Sequence, residues 1–202
     1  CDRRQRQMCI RDSTYTKMSG SVLLTYTLPS DPDLLYVAAS YTNKAGKKYE
    51  FKASYFTNTL LVEGFGDTDT YSLDVYAVDR SENYSEPVNI QVAADTPPVQ
   101  AAYETLEVQP DFGGMTFSFD NASKADLTVY VSTPNADNEM VNAETFYTGL
   151  AKATFSVRGF LDVPRDFEIC FEDKWGNRSP VKKENLTPIY EAELDKKKIK
   201  EV

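Results

Sequence analysis

The stretch "VEGFGDTDTYSLDVYAVDRSENYSEPV" (Val62–Val88) is answered later in the same chain by "VRGFLDVPRDFEICFEDKWGNRSPV" (Val157–Val181). Val62, Gly64 and Phe65 align with Val157, Gly159 and Phe160. Asp79, Asn83 and Ser85 align with Asp173, Asn177 and Ser179. Working outward, "SGSVLLTY" around Gly20 answers "GGMTFSF" around Gly114, and "DLLYV" at Asp33 answers "DLTVY" at Asp126. The near-constant spacing marks two copies of one module. A repeat has to be settled before any other reading of a fold.

Within each copy the apolar residues alternate. In "YSLDVYAVD", Tyr71, Leu73, Val75 and Ala77 share one side, with Ser72, Asp74 and Tyr76 on the other. In "FEICFED", Phe167, Ile169 and Phe171 oppose Glu168, Cys170 and Glu172. Period two with one apolar side is the pattern of an antiparallel strand buried on one face. "LPSDPD", "NKAG", "GFGDTDT", "RSEN" and "KWGN" between such runs supply turn chemistry. No long helical period precedes residue 189. The expected fold is all-β: two tandem fibronectin type III/immunoglobulin-like β-sandwiches, each near the ~100 residues such a module needs. The modules are placed at residues 14–95 and 96–188, joined through "AADTPPVQ", where Pro97 and Pro98 cannot donate to a sheet ladder. From residue 189 to 202 the texture changes to "IYEAELDKKKIKEV", read as the start of a further domain.

The first thirteen residues read differently. "RRQRQMCIRD" (Arg3–Asp12) is the translation of CGT CGG CAG CGT CAG ATG TGT ATA AGA GAC, a string that resembles a transposon adapter used in short-read sequencing libraries. Residues 1–13 are therefore set aside as a non-native segment. The first module is then expected to have lost most of its first strand, which would leave a sheet edge open.

The whole chain carries a formal net charge of −9 with no histidine, and the part beyond residue 13 is more acidic still. This balance argues against a nucleic acid or an anionic membrane surface as partner. No apolar run approaches the ~18 residues a membrane span needs. Removing Cys1 and Cys9 leaves Cys170, so no intrachain disulfide is expected. Cys170 has the carboxylates Glu168, Glu172 and Asp173 around it, poor ground for a reactive thiolate. Without histidine, Cys–His and Ser–His chemistry has no base. Glu172 and Asp173 could work as an acid–base pair on a glycoside, but adjacent strand residues point to opposite faces. No catalytic residue and no cofactor is assigned, and the chain is read as non-enzymatic. "DRSENYS" and "DKWGNRS" invite calcium, yet each sits where a hairpin turn must form, so no metal site is assigned. Tyr71 is expected to bond back to the preceding corner, with Phe167 holding its place in the second copy. The aromatics Tyr36, Tyr41, Tyr49, Tyr55 and Phe56 are expected mainly in the core or in pairs on the sheet surface. Trp175, the one tryptophan, stands in a turn where the first copy has Ser81. It is the one candidate binding residue, either stacking on a sugar ring or packing against a neighbouring domain.

"LTYTLPSDPDLLYVAASY", "TPPVQAAYETLEVQPDFGGMTFSF", "FSVRGF" and "DKWGNRSPV…LTPIYEAELDKKKIKEV", with the first stretch quoted above, resemble a family of Bacteroidota surface proteins. Its members carry two fibronectin type III-like domains of unknown function followed by a discoidin-like, galactose-binding-type domain. That resemblance implies a lipoprotein at the outer membrane surface, in a polysaccharide-utilisation setting. The implied partner is a polysaccharide or an outer-membrane glycan-uptake complex. Accessory modules of a glycoside hydrolase and a protein–protein module are the alternatives, since fold alone does not select among them. Amplifying the gene from its source DNA across the Thr14 codon tests the opening segment: the Arg3–Asp12 codons are expected to be absent, and their presence in the genome would overturn that reading.

Overall fold

A computed structural model describes residues 11–28 and 30–190 of the chain. It divides into two compact units, Cys1–Pro98 and Val99–Val202. The first holds β1 (Arg11–Met18), β2 (Ser21–Thr27), β3 (Leu34–Thr42), β4 (Lys48–Ser54), β5 (Thr59–Glu63), β6 (Thr70–Asp79) and β7 (Val88–Ala93). They form a three-stranded sheet, β1-β2-β5, and a four-stranded sheet, β4-β3-β6-β7. From α1 (Pro98–Glu104), which starts on the last residue of the first unit, the second holds β8 (Glu107–Asp111), β9 (Gly114–Asp120), β10 (Leu127–Pro134), β11 (Met140–Thr148), β12 (Lys152–Arg158), β13 (Arg165–Asp173) and β14 (Lys182–Leu186). The same order recurs there as β12-β9-β8 and β11-β10-β13-β14. All the pairings within these sheets are antiparallel. The chain is thus all-β, two sandwiches of one topology.

Each core is made by the alternation. Leu73, Val75 and Ala77 of β6 are buried, as are Val22, Leu24, Val37 and Val62 of the same module. Phe167, Ile169 and Phe171 of β13 are buried with Phe117, Phe119 and Val129 in the second core. Each such phenylalanine contributes about 1.5–3 kcal/mol through burial.

Both modules close in the same way at the turn between their first two strands. The Asp95 amide donates to Met18 O, the Gly20 amide to Asp95 O, and the Phe65 amide to Gly20 O. In the second module the Ile189 amide donates to Asp111 O, the Gly113 amide to Ile189 O, and the Phe160 amide to Gly113 O. Gly20 (φ 59°) and Gly113 (φ 64°) both occupy the left-handed region, where a side chain would be strained. The true counterpart of Gly20 is therefore Gly113, one residue before the glycine the sequence spacing suggested. Gly114 has a different duty: a Cβ there would lie 1.8 Å from Val157 O, across the β9–β12 pair.

The expectation that the first module lacks most of its first strand is not met. β1 spans eight residues and covers β2, because ladder bonds are made by the backbone and accept most side chains. Its register is regular from Thr14 to Met18 and shifts between Arg11 and Thr14, next to the end of the segment set aside. Residues 1–10 lie outside the described residues. Ile189, placed with a further domain by the sequence, is bonded into the second module by its amide and carbonyl, and residues 191–202 also lie outside the described residues.

The short helix α1 follows from Pro98, whose fixed φ suits a first helical turn, and from Val99 and Ala102, three apart and both buried. Thr105 Oγ1 ends it by donating to the Ala101 and Ala102 carbonyls.

Gly114→Ala is expected to destabilise the second module by about 1–3 kcal/mol through overpacking. Gly46→Ala meets no atom within 4 Å and carries only the strain of φ +78°, a cost of about 1–2 kcal/mol. Denaturant unfolding of the two variants should show the second-module transition moving only for Gly114→Ala.

Candidate binding face of the second module

The residues that invited a calcium reading are spent inside their turns. Asp79 Oδ1 accepts the amides of Ser81 (2.8 Å) and Asn83 (2.9 Å), and Oδ2 accepts Asn83 Nδ2 (2.9 Å). Asp173 repeats this with Trp175 (2.8 Å), Asn177 (3.0 Å) and Asn177 Nδ2 (2.9 Å). Donors thus occupy the positions a cation would take. The same five-residue turn recurs between β3 and β4 at Asn43–Lys47 and between β10 and β11 at Asn135–Glu139. Each first-residue side chain accepts the fifth residue's amide at 2.9 Å. In all four turns the fourth residue has positive φ: Gly46, Glu82, Asn138 and Gly176. Hydrogen bonds from Asn83 to the charged form hold the Asp79 carboxyl below the ordinary carboxylate range.

Tyr71 bonds back to its corner, donating to Asp67 Oδ1 at 3.0 Å. Burial, with Asp67 beside it, pushes the phenol up to about 12. Burial alone would raise Asp67, but hydrogen bonds from Lys44, the Asp69 amide and Tyr71 outweigh it and lower the carboxyl. Lys44 also bonds Asp69 and lies 2.6 Å from Asp67.

Strand register gives Tyr71 a counterpart other than Phe167. Val75 pairs with Val88 and Ile169 with Lys182, so Phe167 answers Leu73 and Arg165 answers Tyr71. In the first module Tyr41, Phe65 and Tyr71 pack as one cluster, with Tyr41–Phe65 centroids 4.6 Å apart and Phe65–Tyr71 5.2 Å. At the same places in the second module stand Thr133, Phe160 and Arg165. Arg165 lies over the Phe160 ring at 4.8 Å and donates to Thr133 Oγ1 (3.0 Å) and Pro134 O (2.7 Å). The aromatic corner of one copy is a cation–π corner in the other.

The other first-module aromatics divide between core and surface. Tyr41 and Tyr49 are in the core. Tyr36 lies on the outer face, with Lys52 Nζ 4.8 Å above its ring and its hydroxyl 3.4 Å from Tyr84 Oη. Tyr55 and Phe56 pair at 4.0 Å in the loop after β4, and Phe56 is 81% exposed.

The outer face of β11-β10-β13-β14 carries three neighbouring clefts. One of about 530 Å³ is lined by Pro134, Met140, Asp166, Glu168, Lys183 and Asn185. The next, about 290 Å³, shares Glu168 and adds Tyr130, Ser132, Cys170 and Arg178. The third, about 420 Å³, lies beside Thr128, Tyr147 and Lys174. Register explains the row: Pro134 is level with Met140, Ser132 with Asn142 and Glu168, Tyr130 with Thr145 and Cys170, Thr128 with Tyr147 and Glu172. These outward positions share one face, a furrow in which the first two clefts join at Glu168. Its charges are paired, Lys183–Glu168 at 2.7 Å and Arg178–Glu172 at 2.6 Å, and Asn185 Nδ2 donates to Asp166 Oδ1 at 2.6 Å.

Trp175 is half-buried in the turn after β13, with Lys174 Nζ 5.1 Å over its ring. Lys174 also lines the third cleft, and Trp175 is not among the residues lining the three clefts. Cys170 does face away from the core, but Arg178 shares its cleft, a cation that the acidic neighbours in sequence did not suggest. Glu172 is held by Arg178 and Asp173 by Asn177, so the two carboxylates serve separate contacts. The furrow was hidden from sequence reasoning because its walls come from four strands. The polar outward positions of β13 were its one visible sign.

A family profile described as a domain of unknown function, DUF5126, matches residues 95–197, just over half of the chain. The chain belongs to this family. A second profile, also a domain of unknown function, DUF4959, matches residues 8–94. No curated protein matches the chain. Among solved structures, a SusE-like protein is 34% identical over 49% of this chain, with a TM-score of 0.42. The chain spans only 34% of that structure's length. A two-domain fibronectin type III segment of chicken tenascin is 15% identical over 88% of this chain and 98% of its own, at a TM-score of 0.40. The central fibronectin type III array of RIM-binding protein is 14% identical over 90% of this chain and 61% of its own, at 0.35.

The lowered carboxyls of Asp67 and Asp79 fix the sign of an acid response. A depressed folded pKa adds stability that is complete above the unfolded value and is lost as pH falls through the folded one. First-module stability should therefore decline below the ordinary carboxylate range, and Asp67→Asn with Asp79→Asn should flatten that decline in denaturant titrations at stepped pH. Tyr71→Phe, which loses the hydroxyl bond to Asp67, should cost about 1 kcal/mol at neutral pH.

Proposed function

We propose that the chain is a non-enzymatic part of a cell-surface glycan-utilisation system, anchored at the outer membrane. Its sandwiches serve as spacers and scaffold, with polysaccharide or an outer-membrane glycan-uptake complex as partner. The observation that carries this reading is how the polar groups are disposed. In both modules the turn carboxylates and the corner are consumed by internal hydrogen bonds, while a paired-charge furrow on the second module faces solvent. The sequence resemblance to Bacteroidota surface proteins supports the setting. Trp175, whose ring lies under Lys174 of the third cleft, is assigned a contact with sugar.

A second reading, contact with a partner protein, draws on the first module. Tyr36, Tyr76 and Tyr84 form a cluster on its outer sheet, with Tyr76–Tyr84 centroids at 5.6 Å, and the exposed Phe56 caps a neighbouring loop. Aromatic-rich exposed patches with a polar rim suit protein contacts.

Antibody labelling of intact cells of the source organism tests the surface assignment. Labelling before permeabilisation, abolished by added protease, is the expected result. Signal that appears only after permeabilisation would overturn it.

A further inference from the structure

We propose that the outer face of β11-β10-β13-β14 is a binding furrow for an uncharged, polyhydroxylated chain: a neutral polysaccharide rather than an acidic one. The proposal rests on the surface-glycan reading above and adds the site and the ligand class. Thr128, Tyr130, Ser132 and Pro134 are alternate residues of β10 that share this face. At strand spacing they cover about 20 Å, long enough for an extended polymer and too open to enclose a small molecule.

The lining argues for the class. Lys174, Arg178 and Lys183 stand against Asp126, Asp166, Glu168 and Glu184 among the lining residues, with Glu172 paired to Arg178. The charge is close to balanced and tips negative. A polyanion would meet the carboxylates Glu172, Glu168 and Asp166 on either side of the Tyr130 level and gain no net field. A polycation would meet the ammonium and guanidinium groups already holding those carboxylates. A neutral polyol needs donors and acceptors alternating at short range. Asp166 with Asn185, and Glu168 with Lys183, present such pairs with hydrogen-bonding capacity beyond their mutual contact.

Two aromatic rings complete the furrow. Tyr147 is 76% exposed on the edge strand β11, level with Thr128, and its ring meets solvent. Tyr130 lies in the middle of the face, with the Arg178 guanidinium 5.5 Å from its ring centroid. A flat ring beside hydrogen-bonding groups suits a sugar, which is apolar on its C–H face and polar at its edge. Pro134 and Met140 supply further apolar surface at the far end.

Affinity electrophoresis and calorimetry on the whole chain, using galactomannan, xyloglucan, arabinoxylan and starch against polygalacturonan, test the proposal. The variants are Tyr147→Ala, Asn185→Ala and, in the first module, Leu61→Ala at an exposed position of β5, each checked by thermal melting. The expected result is retention by at least one neutral polymer, little changed by added salt because no counterions are displaced. Tyr147→Ala and Asn185→Ala should each weaken it at least about tenfold, and Leu61→Ala should leave it unaltered. Neutral binding indifferent to both furrow variants would overturn this site and leave the surface-glycan reading standing. Preference for polygalacturonan would overturn the ligand class. No retention of any polymer by a chain that intact cells display would overturn the furrow as a sugar site without touching its location.

Discussion

A glycine in the left-handed region at the first turn is the constraint on which each sandwich depends. Gly20 and Gly113 give their amide to the segment leaving the last strand and their carbonyl to the corner after the fifth. One residue thereby ties three places far apart in sequence: the start of the module, its exit and the crossing between its sheets. With that end pinned, alternation on the remaining strands directs the apolar side chains inward. The outer faces are then left free to differ between copies.

They do differ, and the pattern is informative. The corner cluster keeps its central phenylalanine, Phe65 or Phe160, but changes neighbours from Tyr41 and Tyr71 to Thr133 and Arg165. An aromatic stack and an arginine over a ring fill comparable space by different means, so the corner survives with little shared chemistry. The outer sheet of the first module gathers tyrosines around Lys52, whereas that of the second lines up ion pairs and amides in a furrow.

The strands and turns were legible from the chain itself, because period two and turn-rich composition are local properties. Leu73 and Phe167 point inward as their alternation says, and the stretches at Asp79 and Asp173 form turns as their place between alternating runs says. Equivalences between the copies were less legible. Gly113 and Gly114 are chemically alike, and only backbone conformation and a close carbonyl separate their duties. Phe167 resembles Tyr71 in type, yet register assigns that place to Arg165. The furrow was least legible of all, since it is assembled from residues that neighbour one another across strands, such as Tyr130 with Cys170 and Ser132 with Asn142. Trp175 stood out by its rarity, and what the structure shows of it is a half-buried ring under Lys174, a residue that lines the third cleft.

The bridge between the end of the first strand and the exit of the module is parallel in both copies, Ser19 with Asp95 and Phe112 with Ile189. A pull on the two ends of a module would draw these neighbours past each other along their length, loading the bonds at the glycine turn together in shear. Bonds loaded that way yield as a group, whereas bonds peeled from one end yield singly. A sandwich with this connection would hold under tension up to a threshold and then give way abruptly.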